Sequence, residues 1–157
     1  MISEFKGDYR FLSNFYAASV YLDGILYPSV EHAFQAAKTE KRQWREKILL
    51  ASSPGIAKKL GKIIPREDFN PHWNKVRLEV MADLLTQKFF DADLRAKLLA
   101  TGNEELIEGN TWGDTFWGVC DGKGLNKLGQ LLMVVRQMYR VIEGNPQYEE
   151  ALPDRLK

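Results

Sequence analysis

Residues 20–38 read Val20-Tyr21-Leu22-Asp23-Gly24-Ile25-Leu26-Tyr27-Pro28-Ser29-Val30-Glu31-His32-Ala33-Phe34-Gln35-Ala36-Ala37-Lys38. The first eight predict a β-hairpin. Asp-Gly supplies the two positive-φ positions of a type I′ turn, and β-favouring residues flank it on both sides. Pro28 stops the second strand, and Ser29 is placed to cap a helix with its hydroxyl. That helix is expected from about Val30 to Thr39. A hairpin feeding directly into a helix sets the class as α+β.

Outward from this stretch the signals are helical. A second helix is expected over Arg42 to Ala51. Ser53-Pro54 starts a third, with Ser53 as cap and Pro54 at the first helical position, and Gly61 is read as its end. Asn70-Pro71 opens a long helix whose apolar positions Trp73, Val76, Val80, Met81, Leu84 and Leu85 follow the helical period. Asp91 or Asp93 opens the next, through Leu94, Leu98 and Leu99 to Gly102. A glycine-rich aromatic segment, Gly109 to Gly124, precedes a last helix from about Asn126 to Ile142. Leu128, Leu131, Leu132, Val135, Met138 and Tyr139 are expected to face inward there, with Gly144 and Pro146 ending it. The reading is a predominantly α-helical α+β fold with a small hairpin or sheet. It forms one domain over 1–157, peripheral from about residue 145.

Composition narrows the function classes. With a single cysteine, Cys120, and two histidines, His32 and His72, no internal disulfide or four-ligand Cys/His zinc site can form. A structural zinc site is therefore not expected, and the reading calls for no metal and no cofactor. The start Met1-Ile2-Ser3-Glu4-Phe5-Lys6 lacks the basic and apolar regions of a secretory signal. Apolar runs such as Leu131-Leu132-Met133-Val134-Val135 are far too short for a membrane span. A cytoplasmic protein with no membrane partner is expected. Net charge is only +1, yet Lys38 to Arg66 holds nine basic residues against Glu40 and Glu46. That run is either a solvated helix face or a surface for phosphates.

Four segments carry candidate chemistry. Glu31, Gln35 and Lys38 fall within about a 60° sector of one helix face, beside the apolar stripe Val30, Phe34, Ala37. A carboxylate, an amide and an amine there line a pocket wall, unless the face is merely solvated. His32 points elsewhere, as a core histidine or a supporting group. Gly109 to Gly118 sets Trp112, Phe116 and Trp117 among glycines. Glycine lets backbone approach a ligand and aromatic faces stack on planar bases, while Asp114 and Glu108 add carboxylates; the alternative is a loop that plugs the core. Gly124, Asn126, Lys123 and Lys127 lead into the last helix, whose free N–H groups suit a phosphate. Asn14 and Phe15, within Phe11-Leu12-Ser13-Asn14-Phe15-Tyr16, offer base contacts or pack an irregular N-terminal strand. Cys120 has no adjacent histidine to activate it as a nucleophile.

Taken in order, these segments resemble the NADAR, or YbiA-like, family over nearly the whole chain. The resemblance rests on Phe11 to Tyr16, the Asp23-Gly24 hairpin, Ser29 to Lys38, Trp73 with Arg77 and Met81, and Lys88-Phe89. It continues through Leu98 to Gly102, Leu106-Ile107-Glu108, Asp114 to Gly118, and Gly124 to Met133 with Arg136. It implies an N-glycosidase that hydrolyses the bond between ribose C1 and a base nitrogen. Two substrates follow: ADP-ribosylated guanine of DNA, or phosphoribosylamino-pyrimidine intermediates of riboflavin synthesis. The first brings nucleic acid and a paired ADP-ribosyltransferase toxin as partners. Carried over by motif, Glu31, Lys38 and Asp114 are expected to be catalytic. Asn14, Phe15, Gln35, Trp73, Trp117, Gly118, Gly124 and Asn126 are expected to bind substrate. In the family picture the lysine forms a Schiff base with the opened sugar.

The residue types suit such a reaction. Breaking a C–N glycosidic bond builds positive charge on the sugar, which a carboxylate stabilises, and the departing base needs a proton. Burial beside Phe34 and a tryptophan would favour a neutral lysine, and Glu31 would oppose that. A binding module for NAD or ADP-ribose that performs no hydrolysis needs the aromatics and a phosphate site, but not Glu31, Lys38 and Asp114 together. Val119-Cys120-Asp121 after Trp117-Gly118 departs from the acidic or glycine residue many relatives carry, which puts the substrate in question more than the reaction.

Overall fold

The computed structural model describes residues 1–154, which gather into two compact units. One comprises Asn14–Leu84 and the other Met1–Ser13 with the chain from Leu85 onward. The fold is α+β and mostly helical.

The 14–84 unit begins with the hairpin, strand β1 (Val20–Leu22) antiparallel to β2 (Ile25–Tyr27). Asp23 and Gly24 take φ of 48° and 77°, as a type I′ turn requires. Helix α1 (Val30–Ala36) follows, capped by Ser29 Oγ, which accepts from His32 N. The helix is shorter than expected because Lys38 N and Thr39 N bond three residues back, to Gln35 O and Ala36 O, in a tightened last turn. Every residue of α1 is buried, so this short helix is the centre of its unit. Helices α2 (Arg42–Leu49) and α3 (Pro54–Lys62) pack against it.

Ser53 caps α3 through Ile56 N, with Pro54 in the first turn. Gly61 does not end α3 but lies buried within it, for a reason that appears at the site below. His32 is a satisfied core histidine: Nε2–H donates to Ala51 O at 3.0 Å and Nδ1 meets Ser29 Oγ at 2.7 Å. Helix α4 (Trp73–Lys88) starts after Asn70-Pro71, where Asn70 Oδ1 accepts from His72 N.

In the other unit, residues 7–12 form a 3-10 turn rather than a strand, burying Phe11 and Leu12. Ile2 pairs in parallel with Leu106, and Phe11 meets Phe89 edge-on at 6.5 Å. Asp91 caps α5 (Ala92–Ala100), taking N–H groups of Asp93 and Leu94. Two-residue strands β3 (Gly109–Asn110) and β4 (Val119–Cys120) pair in parallel. The last helix, α6 (Lys127–Gly144), packs on α5. Leu128, Leu132, Val135 and Tyr139 are buried as the periodicity predicts, whereas Leu131 and Met138 are half-buried. Arg136 joins the buried face unexpectedly, because its Nη1 donates to Thr101 Oγ1 and Glu104 O. Among the described residues no helix is long and apolar enough to cross a membrane, and no group of three or more His, Cys, Asp or Glu could hold a metal.

Lys88 ends α4 only 1% exposed, its Nζ donating to Ser13 O at 2.8 Å. Burial lowers its pKa to about 7. Between that value and the ordinary lysine value the unfolded chain holds a proton that the folded chain does not, so stability rises with pH across the window. Urea denaturation should show increasing stability from about pH 7 to about pH 10, and Lys88→Met should flatten that rise. An equal slope in the variant would assign it to other groups.

Candidate active site

The 14–84 unit holds six of the expected residues: Asn14, Phe15, Glu31, Gln35, Lys38 and Trp73. Glu31 and Gln35 lie one turn apart on α1, 7% and 4% exposed. Gln35 Nε2 donates to Glu31 Oε1 at 2.8 Å, which fixes the carboxylate's direction. Gln35 Oε1 is buried against α3 with no hydrogen-bond partner, and a Cβ at Gly61 would overlap it. Gly61 therefore sits inside α3 so that the Gln35 amide can press against bare backbone. Glu31 N donates to Asn14 O at 3.1 Å, bringing Asn14 alongside. Asn14 is buried, its Nδ2 makes only a long 3.6 Å contact to Met81 Sδ, and its Oδ1 has no partner. The Asn14 amide oxygen, without a donor beside a buried carboxylate, suits a ligand bearing an N–H group, because an unsatisfied buried acceptor otherwise costs about 1–3 kcal/mol.

Lys38 follows α1 by one residue and is half-buried. Its Nζ stands 5.9 Å from the centre of the Phe34 ring. Trp73, buried at the start of α4, lies against the same ring at 5.0 Å between centroids and a tilt of 58°. Phe69 meets Trp73 edge-on at 6.5 Å. Burial is the main influence on the Lys38 amine and lowers its pKa below the usual lysine value. Glu31 opposes that shift, while Lys62 and Lys58 reinforce it. The backbone holds the residue too: Asn70 N donates to Lys38 O at 2.7 Å, and Thr39 Oγ1 donates to Asp68 O at 2.6 Å. Phe15 is exposed, with its ring edge near Gly55 at the start of α3.

The glycine-rich segment has its own logic. Asp114 Oδ1 accepts from Phe116 N at 3.1 Å and Trp117 N at 2.9 Å, so this carboxylate turns the loop. Asn110 clamps the same loop by donating to Asp114 O and accepting from Asp114 N. Phe116 and Trp117 meet edge-on at 4.9 Å. The approach of Gly118 to Glu108, and of Gly124 to Gly118 O, leaves no room for a Cβ at either glycine. Asn126, left-handed at φ 52°, donates to Leu106 O and accepts from Glu108 N.

The expected phosphate site at the start of α6 loses its basis. The N–H groups of Leu125, Asn126, Lys127 and Leu128 are taken by carbonyls of Thr115, Gly118, Phe116 and Trp117. A helix N-terminus attracts anions through unoccupied donors, and these four are occupied. The sequence reading also missed Gly61, Lys58 and Lys62 as influences on the site. Their only signal is the spacing Lys58-x-x-Gly61-Lys62, which reads as a basic stretch ending in a helix stop.

Residues 3–140 match the NADAR domain, and the chain belongs to that family. It is 40% identical to the N-glycosidase YbiA of Escherichia coli (strain K12), over 85% of this chain and 84% of that one. A riboflavin biosynthesis protein of Vibrio vulnificus is 38% identical over 83% of this chain but only 35% of its own length. The NMR structure of the Escherichia coli protein YbiA superposes with a TM-score of 0.79 at 36% identity, covering 92% of this chain and 88% of that one.

The charges around Lys38 generate a paired test. Lys62→Ala removes a cation that depresses the Lys38 pKa and should raise it; Glu31→Gln removes the opposing anion and should lower it. The pH dependence of Lys38 acylation by an amine reagent, read by mass spectrometry, reports both midpoints. Shifts in the same direction, or none, would show that these groups do not govern the amine.

Proposed function

We propose that Lys38 and Glu31 cleave the bond between ribose C1 and a base nitrogen. The chain is accordingly a hydrolase of N-glycosyl compounds, in keeping with the N-glycosidase names of its relatives. The observation that carries the mechanism is a lysine amine made easier to deprotonate by burial, within electrostatic reach of a buried carboxylate.

Opening the ribosylamine ring leaves C1 doubly bonded to the base nitrogen. The neutral Lys38 amine adds to C1, and the C1–base bond breaks as the base nitrogen takes up a proton. An imine between Nζ and C1 remains. Water then adds to C1 and breaks the C1–Nζ bond, releasing a ribosyl aldehyde and restoring the amine. Glu31, aimed by Gln35, stabilises positive charge at C1 and relays protons to and from the departing nitrogen. Asn14 Oδ1 supplies an acceptor for an N–H group of the base.

Two ribosylated bases fit this chemistry. Phosphoribosylamino-pyrimidines draw support from the riboflavin biosynthesis names of relatives in Vibrio vulnificus and Zea mays. ADP-ribosylated guanine of DNA draws support from the basic run between Lys38 and Arg66. The second substrate would set the protein against an ADP-ribosyltransferase toxin, and either reaction would be cytoplasmic.

Lys38→Ala should lower turnover by about two orders of magnitude or more while the fold survives. Lys38→Arg should be nearly as inactive, since a guanidinium keeps the charge but stays protonated. Base release followed by chromatography, with circular dichroism as the fold control, checks both. Substantial activity in Lys38→Arg would make the residue a phosphate anchor and leave Glu31 with the chemistry.

A further inference from the structure

Helix α2 carries two arginines that behave differently. Arg42, its side chain 90% exposed, pairs with Glu46 one turn along its own helix. Arg45, 16% exposed, leaves the helix instead. Its Nε donates to Thr39 O at 2.7 Å, and its Nη1 donates to Asp23 Oδ2 at 2.6 Å. We propose that Arg45 is a positioning residue for Lys38, holding the chain one residue beyond it, and that Asp23 of the hairpin turn aims the guanidinium. The inference rests on the reading of Lys38 as the reaction centre.

Lys38 lies beyond the regular part of α1. The N–H groups of Lys38 and Thr39 bond three residues back, to Gln35 O and Ala36 O. The direction of the lysine therefore depends on one tightened turn and on what holds the chain that leaves it. Two anchors come from the segment before α4: Asn70 N donates to Lys38 O, and Asp68 O accepts from Thr39 Oγ1. Arg45 supplies a third anchor from a different element. Thr39 is fully buried, so its carbonyl needs a donor, and a guanidinium gives a charge-assisted bond stronger than a neutral one.

The shape of the group explains both bonds. Nε and Nη1 are fixed in one plane, so a carboxylate that holds Nη1 also sets the direction of the Nε–H. Asp23 occupies the turn at φ 48°, with its side chain 69% exposed. The outer bond thus guides the arginine, and the inner bond holds the chain beside Lys38. A lysine at position 45 has one nitrogen and no such plane. Both bonds go to Thr39 and Asp23 rather than to Glu31, Gln35 or Trp73. Loss of the anchor should therefore misplace the attacking amine more than it disturbs ligand binding, and small misplacements of a reacting atom cost rate steeply.

The test uses the full chain with a phosphoribosyl base as substrate, and the variants Arg45→Met, Arg45→Lys, Asp23→Asn, Arg45→Met with Asp23→Asn, and Lys38→Ala. Asparagine tolerates the positive φ of the turn, so Asp23→Asn removes the charge and keeps the hairpin. Arg45→Met should lower kcat by about tenfold to a hundredfold with KM nearly unchanged, and Arg45→Lys should not rescue it. Asp23→Asn should lower kcat less, and the double variant should be no worse than Arg45→Met, because Asp23 acts through Arg45. Wild-type kcat in folded Arg45→Met, or losses that simply multiply in the double variant, would overturn the proposal. Should Arg45→Met not fold by circular dichroism, Asp23→Asn decides: an unchanged kcat overturns the proposal. Retained turnover in Lys38→Ala would instead sink the reaction centre, so the two failures remain distinct. If wild type does not turn over this substrate, amide hydrogen exchange at Lys38 and Thr39 decides. Faster exchange in Arg45→Met and Asp23→Asn is expected, and unchanged protection overturns the proposal.

Discussion

Helix α1 carries a carboxylate into the protein interior because α3 presents no side chain at Gly61. The Gln35 amide lies against that bare backbone and reaches Glu31 with its Nε2. A methyl group at Gly61 would occupy the place of Oε1 and turn the amide away. The same close approach brings the Lys58 and Lys62 charges near the Lys38 amine. The amine is thus poised between opposing influences: burial and two cations favour loss of its proton, and one carboxylate resists it. For a nucleophile that must be neutral to attack yet protonated again later, such a balance is more useful than either extreme. Glu31 gains as well, since its direction is set by the amide before any ligand arrives.

The glycine-rich loop obeys a different constraint. Its carbonyls from Thr115 to Gly118 face the start of α6 and take the donors that a helix N-terminus would otherwise offer to an anion. Asp114, Asn110 and Asn126 hold that arrangement with side-chain bonds to backbone, and Gly118 and Gly124 permit the backbone contacts it needs. The residues most suggestive of ligand binding in this stretch therefore have structural work within their own unit.

Much of this was legible before any coordinates. The Asp-Gly hairpin, the Ser29 and Ser53 caps, the Asp91 cap and the apolar period of α4 are local effects, decided within about four residues, and sequence pattern reports such effects well. The common face of Glu31, Gln35 and Lys38 was legible for the same reason. What pattern does not report is which backbone atom another segment has already claimed. Gly61 reads as a helix stop until Gln35, twenty-six positions earlier, is seen pressed against it. The apolar period of α6 gives no sign that Arg136 is buried, which Thr101 and the Glu104 carbonyl make possible by receiving its guanidinium. The α6 donors read as unoccupied until the loop carbonyls meet them.

The imine proposed at Lys38 is the step on which that mechanism turns, and it can be caught. Incubating the protein with a phosphoribosyl base in the presence of borohydride should reduce the imine to a stable secondary amine. Peptide mass spectrometry should then find the mass of the reduced ribosyl phosphate on Lys38, dependent on substrate and absent in Lys38→Arg. Turnover of the same substrate with no adduct, or an adduct confined to another lysine, would contradict covalent catalysis by Lys38.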